Sequence, residues 1–201
     1  MYGNNPTLPN REDMSPDPLS PYPISKVAGE YYLRVFSEVY GLQTVSLRYF
    51  NVFGPRQDPR SQYASVIPNF IKMILDHESP VIYGDGKQTQ DFIFVKDVVQ
   101  ANIRGIGGNA LGVFNIANAK SINLKELAVT IMDLSGIMVS LKYESPRIGD
   151  IRDSLADITR AQEVFGFAPE YTLKACLKET IEWYRHQPRL KKESFRAGSG
   201  I

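Results

Sequence analysis

Between residues 24 and 40, apolar side chains recur at helical spacing along two adjacent ridges, Val27-Tyr31-Val35-Val39 and Ala28-Tyr32-Phe36-Tyr40, and Gly41 ends the run. An ordinary surface helix needs one stripe, so this pattern predicts a helix covered on two sides. Residues 44–50 switch to a β-branched and aromatic run, expected as a buried strand. A polar loop, a helix at 66–75, a strand at 81–83, a Gly-Asp-Gly turn at 84–86 and a strand at 91–95 should follow. Further on, the pattern predicts a helix at 97–106, strands at 113–117 and 139–143 around a helix at 123–135, and closing helices at 158–165 and 173–186. Helices alternating with single strands predict an α/β architecture with a partly parallel sheet that needs cover on both faces. Only two or three strands lie close enough to the first helix to share its layer, so the sheet reads as part of a larger one. The proline-rich opening and the polar tail from about Gln187 carry no periodicity.

Composition narrows the function classes. At 201 residues, 43% hydrophobic and 22% charged, the chain can bury a core. Lys plus Arg number 23 against 22 Asp plus Glu, which gives no basic field for nucleic acid. There is no apolar run long enough to span a bilayer and no signal-peptide start, so no membrane partner is expected and the cytoplasm is the expected compartment. One cysteine and two histidines cannot assemble a Cys/His zinc site.

The first candidate for chemistry is Tyr22-Pro23-Ile24-Ser25-Lys26, a phenol and an ammonium one helical turn apart at a helix start. A cation about 5 Å from a phenol favours the phenolate by roughly 3 kcal/mol at an effective dielectric near 20, and a helix N-terminus adds to this. Such a pair can take a proton from a sugar hydroxyl. Spacing alone leaves open a surface lysine beside a half-buried tyrosine. Tyr83 and Lys87 share the spacing, but they straddle Gly84-Asp85-Gly86, where a helix cannot hold them together.

Three further segments stand in order: Leu47-Arg48-Tyr49-Phe50-Asn51-Val52-Phe53-Gly54-Pro55-Arg56-Gln57, a strand entering a polar loop; Gly84 to Phe92; and Pro146-Arg147-Ile148-Gly149-Asp150-Ile151-Arg152. Together with Tyr22 and Lys26 they resemble the extended short-chain dehydrogenase/reductase family, and among its members the C4-epimerases of UDP-glucose and UDP-N-acetylglucosamine. The resemblance covers nearly the whole chain. It implies the C-terminal part of a Rossmann-type doubly wound sheet over residues 1–60, a small α/β substrate-binding domain over 61–186 with short returns to that sheet, and a flexible tail over 187–201.

The resemblance also assigns roles. It implies that Tyr22 exchanges the proton, that Lys26 lowers its pKa and binds the nicotinamide ribose of NAD, and that Phe50 lies beside the nicotinamide. Asn51 would contact the substrate diphosphate, Val66 and Tyr83 would wall the nucleotide, and Arg147 with Asp150 would meet phosphate and ribose. Without the resemblance Arg147 could be a solvated arginine and Asp150 a cap. Gln90 sits where many relatives have an arginine facing the phosphates, and a neutral amide there forfeits a charge-assisted hydrogen bond.

The expected activity is C4 epimerisation of a UDP-sugar by transient oxidation with NAD, with a 4,6-dehydratase or decarboxylase as the alternative within the family. A homodimer through the 24–40 helix is implied as well. The family's Gly-rich turn and its Ser or Thr partner to the tyrosine would fall before Met1. The 201 residues alone are therefore expected to be inactive, a fragment that at most binds a nucleotide-sugar.

Overall fold

Pro21 opens the first helix, α1 (Pro21–Tyr40), three residues before the hydrophobic pattern begins, because its fixed φ and missing N–H suit a first turn. Gly41 closes it in the left-handed conformation at φ 67°, its N–H donating to the Ser37 carbonyl at 3.1 Å. The computed structural model describes residues 1–59, 66–107, 110–147 and 150–187. Residues 188–201 of the expected tail, and Ile148 and Gly149, lie outside the described residues.

After α1 come β1 (Val45–Tyr49), β2 (Asn51–Phe53), α2 (Val66–Leu75), β3 (Val81–Tyr83), β4 (Thr89–Phe94) and α3 (Val95–Gly107). The chain continues through β5 (Gly112–Ile116), β6 (Ser121–Asn123), α4 (Leu124–Ser135), β7 (Lys142–Glu144), α5 (Thr159–Phe165) and α6 (Leu173–Arg185). The strands fall into three separate ladders among the described residues, an α/β fold of the expected class. β1 pairs in parallel with β5, β2 in parallel with β4, β4 antiparallel with β6, and β3 in parallel with β7. The break falls at Phe50: its N–H still donates to Ile116 at 3.0 Å, while Asn51 already pairs with Phe92. Close approach fixes the loop beyond, since a Cβ on Gly54 would stand 2.5 Å from the Val95 side chain.

β4 separates two cores by its period-2 alternation. Phe92 and Phe94 join Phe53, Ile67, Phe70 and the inner faces of α2, α4 and α6, whereas Ile93 joins Phe114, Ile116, Ala101 and Phe167 around β1, β5, α3 and α5. Asn123, expected as the first helical residue, instead caps α4 by accepting from the Glu126 N–H at 2.8 Å. α1 corrects the sequence expectation more sharply. None of its residues is buried, and Tyr32 and Tyr40 are 68% and 71% exposed. Of the residues on the two predicted ridges, only Val27 is partly covered by the rest of the described chain. No helix among the described residues is long and apolar enough to cross a membrane.

Asp91 braces the junction of the two cores. Fully buried, it accepts from the N–H of Asn118 at 2.9 Å and of Ala156 at 3.3 Å. Desolvation pushes its carboxyl up to about 6 against the pull of these donors. The folded state thus holds this proton more tightly than the unfolded chain. The resulting stability is fully present below about pH 4 and is lost as pH rises through about 6. Urea unfolding from about pH 4 to about pH 7 should show wild type losing up to about 3 kcal/mol relative to Asp91→Asn. A stability difference that does not change with pH would contradict this assignment.

Candidate functional site

Arg48 interrupts the apolar run of β1 with a guanidinium, and the fold gives that charge partners on every side. Its Nε and Nη2 donate to the two carboxylate oxygens of Glu30 on α1 at 2.8 and 2.7 Å, and Nη1 donates to the Tyr2 hydroxyl at 2.6 Å. Tyr2 passes its own proton to Asn115 Oδ1 on β5 at 2.7 Å. Asn115 in turn ties the carbonyls of Asn10 and Asp157 at 3.0 and 3.2 Å. Burial opposes the charge on Arg48, but Glu30 and Tyr2 outweigh it and hold the guanidinium charged above its ordinary range.

This link sets the direction of α1. Leu33 accepts from the Thr44 hydroxyl at 3.3 Å just before β1, and Glu30 meets Arg48 within it, so the helix and the strand run antiparallel. One turn toward the helix start from Glu30 is about 6 Å, and two residues along the strand from Arg48 are about 6.6 Å. Lys26 and Tyr22 thus follow Glu30 at one and two turns toward the carboxyl end of β1, the end at which open α/β sheets place ligands. The Lys26 ammonium lies 5.0 Å from the Tyr22 ring centroid. Both side chains are exposed and Phe50 is half-buried against Tyr2, with ring centroids 6.1 Å apart.

At the same strand end, Asn51 Nδ2 donates to Gln90 Oε1 at 3.0 Å and to the Asp91 carbonyl at 3.1 Å. Gln90 Nε2 donates onward to the Ile151 carbonyl at 2.9 Å. Both ends of the Gln90 amide are thus engaged inside the protein. Thr89 fastens the same segment, its hydroxyl donating to Asp153 Oδ1 at 2.7 Å and its N–H to the Arg152 carbonyl at 3.0 Å.

A second group of predicted residues gathers around β3. The Arg147 guanidinium carbon sits 3.6 Å from the Tyr83 ring centroid, a stacked cation and aromatic pair at the surface. Asp150 is exposed and its N–H donates to the Arg147 carbonyl at 3.4 Å, a turn contact. Val66 begins α2 and packs partly buried against the larger core. The structure thus brings together Tyr22 with Lys26, Asn51 with Gln90, and Tyr83 with Arg147 and Asp150. Sequence reasoning missed Glu30, Tyr2, Asn115 and Asp91. A charge inside the apolar run of residues 45–50, and a carboxylate four positions after Lys26, were the available signals for the first of these.

Comparison with known proteins follows the same lines. The sequence model described as the NAD dependent epimerase/dehydratase family matches residues 1–117. The UDP-glucose 4-epimerase of Mycolicibacterium smegmatis is 39% identical over 189 residues, covering 93% of this chain and 60% of that protein. The UDP-N-acetylglucosamine 4-epimerase of Methanobrevibacter ruminantium, solved with UDP-N-acetylmuramic acid, superposes with a TM-score of 0.88 at 46% identity, covering 92% of this chain and 59% of that one. The UDP-glucose 4-epimerase of Thermotoga maritima, solved with UDP-glucose, gives a TM-score of 0.88 at 38% identity, over 92% and 60% of the two chains. The chain thus spans about 60% of the length of these relatives.

Gln90→Leu removes both amide contacts and leaves the Ile151 carbonyl without its donor. The expected loss is about 1–3 kcal/mol in urea unfolding, with faster amide exchange at residues 151–154. Unchanged exchange there would show that Gln90 does not hold the segment.

Proposed function

The chain belongs to the NAD dependent epimerase/dehydratase family, and on that premise we propose that it carries the proton-transfer groups and the sugar-nucleotide side of a UDP-sugar 4-epimerase site. The observation that carries this reading is the pairing of Tyr22 with Lys26 at the start of α1, the ammonium 5.0 Å from the centre of the phenol ring. Tyr22 Oη takes the proton of the sugar C4 hydroxyl and returns it after the sugar has turned over. The Lys26 ammonium can donate to a ribose diol. NAD, when bound, supplies reversible hydride acceptance at the same carbon. A phenol, an ammonium and an aromatic ring at one strand end fit the nicotinamide and its ribose.

The substrate is held through the other group. Arg147, stacked on Tyr83, offers free donors to a phosphate in the bidentate manner of guanidinium groups. The Asn51–Gln90 chain holds the 150–154 segment against β4, so that Asp150 and Arg147 share one rim. The 201 residues contain no Gly-x-x-Gly-x-x-Gly turn. For this chain alone the reading is UDP-sugar binding without NAD retention or turnover.

Calorimetric titration should find UDP-glucose or UDP-N-acetylglucosamine binding to the 201-residue chain, weakened about 10-fold by Arg147→Ala. No heat with either ligand at millimolar concentration would count against the reading. In the whole protein, Tyr22→Phe should lower turnover by about 10²- to 10⁴-fold with NAD still bound. Near-normal turnover would remove Tyr22 from the chemistry.

The exposed apolar face of α1 supports a homodimer through this helix. Tyr31, Tyr32, Val35, Phe36, Val39 and Tyr40 form a continuous unburied surface of a kind that monomers rarely leave uncovered. Light scattering across a dilution series should show self-association that Val39→Glu weakens. A 22.6 kDa monomer at high micromolar concentration would contradict the dimer.

A further inference from the structure

The Tyr22–Lys26 pair is only as well placed as the helix that carries it, and α1 is held in an unusual way. None of its twenty residues is buried against the rest of the described chain. The buried contact it does make is polar. The side chains of Arg48 and Glu30 are 7% and 11% exposed and meet through two parallel hydrogen bonds. A bidentate fork restrains orientation as well as distance, which one hydrogen bond or a lysine cannot do. The fork is itself immobilised: the third guanidinium nitrogen donates to Tyr2, whose ring lies 5.0 Å beneath the guanidinium and whose hydroxyl is tied to Asn115.

Tyr22, Lys26 and Glu30 follow one another at steps of four, on neighbouring positions of one helix face. A rotation of α1 by about 10° would carry a phenol oxygen about 9 Å from the axis through about 1.5 Å, and a misplacement of about 1 Å can cost about 10²-fold in rate. We propose that the buried Glu30–Arg48 pair is the positioning element of the reaction, setting the rotation and height of α1 so that Tyr22 and Lys26 face the carboxyl end of β1. This rests on the epimerase reading given above. Neither Glu30 nor Arg48 touches the substrate; both act through the helix.

The test compares Glu30→Gln, which keeps the shape and removes the charge, with Arg48→Lys, which keeps the charge and removes the fork. In the whole protein, each should lower kcat for UDP-sugar epimerisation by about 10- to 100-fold while KM stays within about two-fold, because Tyr83, Arg147 and Asn51 do not hang from α1. In the 201-residue chain, hydrogen exchange should quicken about 10-fold or more across residues 22–33, with α4 and α6 unchanged. Wild-type kcat in both variants, or unchanged exchange in α1, would overturn the proposal. So would loss of folding in both, because the pair would then be a general determinant of the fold. If the wild-type protein epimerises no UDP-sugar, the functional reading fails instead, and the exchange comparison still decides whether the pair places the helix.

Discussion

A guanidinium tied to α1, to the opening segment and, through Tyr2, to β5 organises the candidate catalytic end of this protein. Arg48 is the one buried cation among the described residues. Taking such a charge out of water costs several kcal/mol, which must be returned by closely fitted partners. Glu30 from α1, Tyr2 from the opening segment and, through Tyr2, Asn115 from β5 are those partners. Losing any of them would leave a buried charge or acceptor unmet, so the segments are held as a unit. Such a network adds little net stability over an apolar core, but it tolerates few alternative arrangements.

The proposed sugar-nucleotide side rests on a different device. β4 presents aromatic rings to one core and Ile93 to the other, while its polar residues Thr89, Gln90 and Asp91 each reach a neighbouring segment. The 150–156 stretch, with no helix or strand of its own, is fastened to β4 through these contacts. This explains how an irregular segment can present Asp150 and Arg147 in a defined place. One end of the site hangs from a charged pair and the other from a polar edge of a buried strand.

Much of this organisation was legible in the sequence. Gly41 marks the end of α1 and Asn123 the start of α4 because caps are local chemistry, and the helices carry their own periodicity. The exchange of partner strands at Phe50 was not legible. At Phe50 the chain exchanges one partner strand for another, and those partners, Ile116 and Phe92, lie far along the chain with no local signature. The ridges of α1 predicted cover on two sides, which the described residues do not supply. The Tyr22–Lys26 spacing and the stretch around Arg147 were visible as motifs in the sequence. The Glu30–Arg48 link was not, because a lone arginine in a strand and a glutamate on a helix become a pair only when the fold joins them.

The most direct measurement is a double-mutant cycle in equilibrium unfolding on Glu30→Gln, Arg48→Met and their combination. If α1 is held by this link, the two residues should couple by about 2 kcal/mol or more, the double variant losing much less than the sum of the single ones. Additive losses within about 0.5 kcal/mol would mean that the two side chains stabilise the protein independently. The placement of the catalytic helix would then have to be attributed to something other than this pair.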